Sequence, residues 1–209
     1  MIKILIADDH AIVRQGLRKI VAEDAQMSVV GEARNGSELL NLVREQSADV
    51  IILDLSMPGG NGLETLKDLK RNYANLPVII LSIHPEDQYA VRAFKAGAAG
   101  YMTKESAPEE LVEAIRKAYR GGKYISPQVA QLLAEHIETK RDGEAHKTLS
   151  DREFEVFSLL ASGKTVGQIA ADLNLSVKTI STYRTRILEK MGAQTNAELT
   201  RYALDFKLL

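Results

Sequence analysis

Over its first 120 residues the chain alternates between short apolar runs rich in β-branched side chains and longer stretches of helical periodicity. No other feature constrains the fold as strongly. Consecutive parallel strands must be joined by crossovers long enough to hold a helix, so this alternation predicts an α/β domain with a parallel sheet. The strand candidates are Lys3–Ala7, Ser28–Ala33, Val50–Leu53, Val78–Ser82 and Gly100–Met102. Between them lie helical stretches at Ala11–Glu23, Ser37–Gln46, Leu63–Arg71, Glu86–Ala96 and Pro108–Arg120. In the first of these, Ile12, Leu17, Ile20 and Val21 form the apolar stripe. Ile51–Leu53 and Val78–Leu81 are apolar at every position, as expected of strands covered on both sides.

Gly121–Gly122 breaks the pattern, and only helical signals follow. Pro127–Lys140 reads as an amphipathic linker helix and Arg141–Lys147 as a polar hinge. Leu149–Ala161 opens with Ser150 as N-cap and Glu153 as its capping-box partner, and Gly163 ends it. Val166–Leu173 and Val177–Met191, the latter capped by Ser176, are two helices separated by a short turn, and a last helix spans Asn196–Asp205. The expected organisation is therefore residues 1–122, a linker over 123–146, and an all-α domain over 147–209.

The chain has no cysteine, which excludes disulfides, thiolate zinc sites and thiol nucleophiles and fits a reducing, cytoplasmic setting. The opening MIKILIADDH fits neither a signal peptide nor a membrane span, and no membrane partner is expected. The formal net charge of −1 hides an asymmetry: residues 147–209 carry 9 basic and 7 acidic side chains, giving +2. That excess matters for nucleic acid only if the cations share a surface.

Ligands of parallel sheets bind at the strands' carboxyl ends. There this sequence places Asp8 and Asp9 after the first strand, Asp54 after the third, Ser82 at the end of the fourth and Lys104 after the fifth. Taken singly, an aspartate here would be a cap or turn residue and Lys104 a solvated charge. Together, three carboxylates at one edge repel unless a hard cation sits among them, and an oxygen donor set suits Mg²⁺, or Mn²⁺ in its place. With such an ion, Asp54 can act as a nucleophile toward a phosphoryl group, with Lys104 pairing as a point charge and Ser82 offering a hydroxyl.

These motifs, LIADDH (Leu5–His10), ILDLSMPG (Ile52–Gly59), Leu81–Ser82 and GYMTK (Gly100–Lys104), resemble those of the receiver domain of response regulators, in the same order. The resemblance implies a flavodoxin-like (CheY-like) fold with phosphorylation at Asp54. It also implies metal ligation by Asp9, Asp54 and the backbone carbonyl of Ser56, with Asp8 assisting through water. It implies a switch in which Ser82 moves toward the phosphate and Tyr101 turns inward; without it, Tyr101 reads as a half-buried strand aromatic. A protein of this kind transfers phosphate only to and from its own Asp54 and is otherwise no enzyme. Two positions depart from the common pattern: Gly60–Asn61 stands where many relatives have an acidic residue, and His84 reads as a surface-loop residue.

Gln168–Met191 has the form of a helix-turn-helix, whose second helix enters the major groove. Ile169, Ala170, Leu173, Val177, Ile180, Ile187 and Leu188 are its expected core. Lys178, Ser181, Thr182, Arg184, Thr185 and Arg186 occupy the other face of the second helix, cations for phosphates beside small hydroxyls for base edges. Residues 148–209 resemble the four-helix LuxR-type output domain, placing the chain with the NarL/FixJ response regulators. That resemblance implies base contacts by Ser181, Thr182 and Thr185, and phosphate contacts by Lys178, Thr179, Arg184 and Arg186. It further implies a sensor histidine kinase as phosphoryl donor, a homodimer when phosphorylated, and double-stranded DNA with paired half-sites as target. The last helix, with Ala197, Leu199, Ala203 and Leu204, resembles the dimerisation helix of these proteins, although core packing alone would explain its apolar residues.

Two other readings belong to different classes. A nucleotide- or flavin-binding enzyme would need a glycine-rich first βα turn, and Ala7–Ala11 has none. A signalling adaptor would use the same C-terminal helices to bind protein instead of DNA.

Overall fold

The computed structural model describes residues 1–58, 61–83, 86–138, 145–206 and 208–209. Contacts within it divide the chain into two units, Met1–Ala134 and Glu135–Leu209. Gly60 and His84 of the expected site surroundings lie outside the described residues, as do residues 139–144 of the expected linker helix and hinge.

The first unit is built on five parallel strands: β1 (Ile2–Ala7), β2 (Met27–Ala33), β3 (Val50–Asp54), β4 (Val78–Ser82) and β5 (Gly100–Thr103). Their spatial order is β2-β1-β3-β4-β5. The alternating helices are α1 (Ala11–Ala22), α2 (Gly36–Glu45), α3 (Gly62–Asn72), α4 (Glu86–Lys95) and α5 (Ala107–Tyr119). Ile2, Ile4, Ile6, Ile52, Ile79 and Leu81 join Leu17 and Val21 of α1 and Leu111 and Ile115 of α5 in one buried cluster. Successive strand residues alternate faces, so Leu5, Ile51, Leu53 and Ile80, also fully buried, serve the other layer. Both faces are thus covered, as the uninterrupted apolar strands require. Ile12 departs from its expected place on the buried stripe of α1: it is 83% exposed.

Because β2 and β3 lie on opposite sides of β1, the sheet reverses its winding between β1 and β3. The loops after these two strands therefore diverge and leave a crevice at their carboxyl ends. Asp8, Asp9 and Asp54 stand at its lip.

The first unit runs past Gly122. Tyr124 donates its N–H to the Ala99 carbonyl at 2.7 Å and bridges to Gly100 beside β5. Helix α6 (Pro127–Glu138) follows. The Ser126 hydroxyl donates to the buried Glu86 carboxylate of α4 at 2.9 Å and accepts the Val129 N–H at 3.2 Å, so one side chain caps α6 and ties it to α4.

The second unit is helical: a 3₁₀ turn (Ala145–Thr148), α7 (Asp151–Ala161), α8 (Val166–Asp172), α9 (Val177–Met191) and α10 (Asn196–Asp205). The Ser150/Glu153 capping box at α7 and the Ser176 cap at α9 form as the sequence predicts. The 3₁₀ turn occupies what reads in the sequence as the end of a hinge. Its His146 packs against Phe154, Tyr202 and Phe206, with Nδ1 3.0 Å from the Tyr202 hydroxyl. Between α8 and α9, Asn174 adopts φ +51°, a left-handed conformation that asparagine tolerates better than most side chains. The Leu175 N–H then reaches back to the Ala170 carbonyl at 2.9 Å and closes the end of α8. Ile169, Ala170, Ile180 and Ile187 are buried as expected, but Val177 is 56% exposed. As the first residue of α9 it points out from the helix-turn-helix corner.

Candidate metal centre and nucleic-acid interface

β1 stops at Ala7, and the chain turns at once: Asp8 Oδ1 accepts the His10 N–H at 2.7 Å, which sets the entry to α1. One oxygen of Asp8 is thereby used locally and the other is aimed into the crevice. Asp54 ends β3 with its side chain fully buried, and its Oδ1 accepts the Ser56 N–H at 3.0 Å. Here too a local turn takes one oxygen. Lys104 follows β5, and its own N–H donates to the Ser82 carbonyl at 2.8 Å. Its Nζ donates to Asp54 Oδ2 at 2.8 Å and lies 2.7 Å from Asp8 Oδ2. Lys104 thus forms an ion pair with both buried carboxylates.

Electrostatics follow from burial. Loss of solvent pushes the Asp54 carboxyl above the usual carboxylate range, and the hydrogen bond and charge of Lys104 and the Ser56 amide offset this only in part. For Lys104 burial acts downward, but the two carboxylates prevail and hold its ammonium above its ordinary value.

Asp8, Asp9, His10 and Asp54 can each offer an atom within 4.8 Å of the others, a spacing that suits one cation. Asp8 Oδ2 and Asp9 Oδ1 are buried without a hydrogen bond, although His10 Nδ1 lies 2.8 Å from Asp9 Oδ1. Buried carboxylate oxygens that converge on an acidic crevice without a geometric hydrogen bond fit a hard divalent ion. His10 belongs to this cluster although the sequence reading leaves it unassigned; its place directly after Asp8–Asp9 was the available signal. Ser82 is buried at the end of β4, one residue beyond the Leu81 that pairs with Asp54. Tyr101 is fully buried, not half-buried as a strand aromatic alone would suggest.

In the second unit α9 presents Lys178, Ser181, Thr182, Thr185 and Arg186 to solvent, with Thr179 and Arg184 half-buried. The hydroxyls of Ser181, Thr182 and Thr185 donate to the carbonyls four residues back, at 2.9, 3.0 and 3.1 Å. Their oxygens keep the capacity to accept. Arg184 is partly committed, since its Nε donates to Asn196 Oδ1 at 2.7 Å and joins α9 to α10. A shallow cavity of about 290 Å³ runs beside Lys178, Thr182 and Arg186, and Tyr183, absent from the expected set, lines it too.

A family model described as the response regulator receiver domain matches residues 4–116, and one described as bacterial regulatory proteins, luxR family, matches residues 147–203. The response regulator GacA of Pseudomonas aeruginosa is 40% identical over 205 residues, covering 98% of this chain and 96% of its own. The chain belongs to the response-regulator family, in its NarL/FixJ branch. This response regulator is also 38% identical over 205 residues to the response regulator UvrY of Escherichia coli K12, across 98% of this chain and 94% of that one. Among solved structures it is similar to RcsB of Salmonella enterica serovar Typhimurium bound to a promoter in the presence of the phosphomimetic BeF₃⁻. There the TM-score is 0.67 at 34% identity, with 96% of this chain and 97% of that chain covered. The fold is that of a CheY-like receiver followed by a luxR-type helix-turn-helix domain.

Proposed function

We propose that this response regulator takes a phosphoryl group on Asp54 from a sensor histidine kinase and that the state of Asp54 controls binding of α9 to duplex DNA. The observation that carries the reading is the meeting of Asp8, Asp9, Asp54 and Lys104 at the point where the sheet reverses its winding.

An oxygen of Asp54 attacks phosphorus, the bond from phosphorus to the donor's imidazole nitrogen breaks, and that nitrogen keeps the electron pair and takes up a proton. The product is an acyl phosphate on Asp54. Asp8, Asp9, Asp54 and the backbone carbonyl of Ser56 would hold Mg²⁺ or Mn²⁺. Bound there, the ion neutralises charge on the transferring oxygens. Lys104 holds Asp54 in place before transfer and pairs with the phosphate after it. Ser82 offers its hydroxyl to the same phosphate, and Tyr101, buried on β5, relays the change toward α4. The protein acts on its own Asp54 and turns over no external substrate.

The receiver spans residues 1–122 and the output domain 147–209; of the segment 123–146 between them, the part up to Ala134 belongs with the receiver's compact unit. Lys178, Thr179, Arg184 and Arg186 contact phosphates, and Ser181, Thr182 and Thr185 face base edges. The DNA-bound RcsB structure, similar along nearly the full chain, supports DNA over a protein ligand for these helices. A phosphorylated homodimer reads paired half-sites, in the cytoplasm; among the described residues no helix is long and apolar enough to cross a membrane.

The test compares wild type with Asp54→Asn in mobility-shift and sedimentation assays, with and without a small phosphodonor and Mg²⁺. Donor and metal together should promote dimerisation and tighten DNA binding in wild type only. If they change neither in wild type, control by phosphorylation is wrong.

A further inference from the structure

The peptide group joining Asp8 to Asp9 is gripped at its carbonyl by a buried cation. Arg14, on the second turn of α1 and only 7% exposed, donates from Nη1 to the Asp8 carbonyl at 2.7 Å. Its Nε donates to Glu32 Oε2 at 2.9 Å, while Glu32 Oε1 accepts from Arg18 Nη1 at 2.9 Å. Glu32 belongs to β2 and is paired in register with Ile6 of β1, two residues before Asp8. The hydrogen bonds from both arginines hold the Glu32 carboxyl below the usual range, although partial burial opposes them. Asp8 is fixed on its other side as well, since its N–H donates to the Ala33 carbonyl at 3.1 Å.

A planar guanidinium with donors fixed in one fork, held between a strand carboxylate and a loop carbonyl, leaves that carbonyl little freedom. The orientation of this one peptide plane sets ψ of Asp8 and φ of Asp9, and hence where both carboxylates point. Those carboxylates carry Asp8 Oδ2 and Asp9 Oδ1, the buried oxygens that make no geometric hydrogen bond among the described residues.

We infer that Arg14 is a positioning residue for the divalent-metal centre: by clamping the Asp8 carbonyl against Glu32 it aims the Asp8 and Asp9 side chains at one ion. The inference rests on the metal-site reading above. It differs in sign from a simple charge effect, because a cation near an acidic cluster weakens attraction for a divalent ion, and its removal should tighten binding. Positioning demands the opposite.

The experiment is a titration of the full-length protein with Mn²⁺, free ion being followed by electron paramagnetic resonance, for wild type, Arg14→Gln, Arg14→Lys and Arg18→Gln. Circular dichroism and thermal melting without metal establish that each variant is folded. Partners of metal ligands commonly affect affinity tenfold or more, so Arg14→Gln should weaken Mn²⁺ binding by about tenfold. Arg14→Lys, which keeps the charge but cannot hold carbonyl and carboxylate in one plane, should weaken it as well. Arg18→Gln, which removes the same charge from the exposed side of Glu32, should bind as wild type does or slightly more tightly. If Arg14→Gln does not fold, Arg14→Lys carries the test alone. Binding by Arg14→Lys within about twofold of wild type overturns the inference, as does tighter binding by a folded Arg14→Gln. Wild type that takes up no Mn²⁺ overturns the metal site itself and the inference with it, whereas wild-type binding with an indifferent Arg14→Lys overturns the inference alone.

Discussion

Lys104 Nζ stands 2.8 Å from Asp54 Oδ2, although 50 residues separate the two along the chain. β4 lies between β3 and β5, and each residue projects from its strand end across the gap left by the intervening strand. Lys104 thus sets one cation against two buried carboxylates, those of Asp54 and Asp8. Adding a divalent ion or a phosphoryl group must rearrange this pair, and the consequences can be measured.

Replacing Asp54 by Asn should stabilise the protein in metal-free buffer at neutral pH. Burial raises the folded-state pKa of Asp54, so its charged form is disfavoured by folding; the favourable contribution is complete below the unfolded-state pKa and is lost as pH rises through the folded one. The neutral isostere escapes that loss. The expected gain is on the order of 1 kcal/mol near neutrality. It should shrink as pH falls toward the ordinary aspartate range. Denaturant melts across pH, with chelator present, measure it. A less stable Asp54→Asn at neutral pH contradicts the argument.

Gly62 should tolerate no side chain. A Cβ there would stand 2.5 Å from Leu55 Cα and 2.7 Å from the Asp54 carbonyl oxygen, contacts with backbone that cannot swing away. Gly62→Ala should therefore cost about 1–3 kcal/mol, as overpacking does. By displacing the end of β3 it should also slow phosphorylation of Asp54 by a small donor. Denaturant unfolding and intact-mass detection of the phosphoryl adduct report the two effects separately.

On α9, Lys178 and Arg186 are solvent-facing cations that flank the hydroxyls of Ser181, Thr182 and Thr185. Lys178→Ala and Arg186→Ala should each weaken binding similarly for every DNA sequence and lower the slope of log affinity against log salt by about 1. Thr185→Ala should leave that slope intact and change which base pairs are preferred. A salt slope unmoved by loss of both cations would remove them from the interface.

Glu153 closes the α7 capping box and accepts from Lys190 Nζ at 2.6 Å. Burial pushes its carboxyl upward, but Lys190 and the Ser150 hydrogen bonds prevail and hold it below the usual range. A depressed carboxyl stabilises above its unfolded-state pKa and ceases to do so as pH falls through the folded one. Glu153→Gln should thus lower stability by roughly 0.5–1 kcal/mol at neutral pH, with the difference closing below about pH 4. Urea unfolding across that range, followed in the C-terminal unit, measures the difference. A deficit that persists in acid would assign the effect to the cap rather than to charge.

Much of this molecule could be read from local signals. The β-branched runs at Val50–Leu53 and Val78–Ser82 and the capping box at Ser150 act over a few residues, and the corresponding elements appear within a residue or two of their expected ends. Ile12 and Val177 show the limit of periodicity. Each satisfies an apolar pattern, yet each lies at the first turn of its helix and is exposed. The aromatic enclosure of His146 depends on Tyr202, 56 residues away, and has no local signature at all.

Asp8, Asp9, Asp54, Ser82 and Lys104 could be assigned to one edge from sequence alone, because a parallel sheet delivers all its strand ends to the same side. Only the tertiary structure decided how they meet. The turns at His10 and Ser56 each consume one carboxylate oxygen and leave the other pointing inward, Lys104 spans Asp54 and Asp8, and Arg14 reaches the peptide between the two first aspartates. Strand order, and with it the distance between side chains far apart in the chain, comes from long-range packing of helices on both sheet faces, and no window of neighbouring residues encodes it.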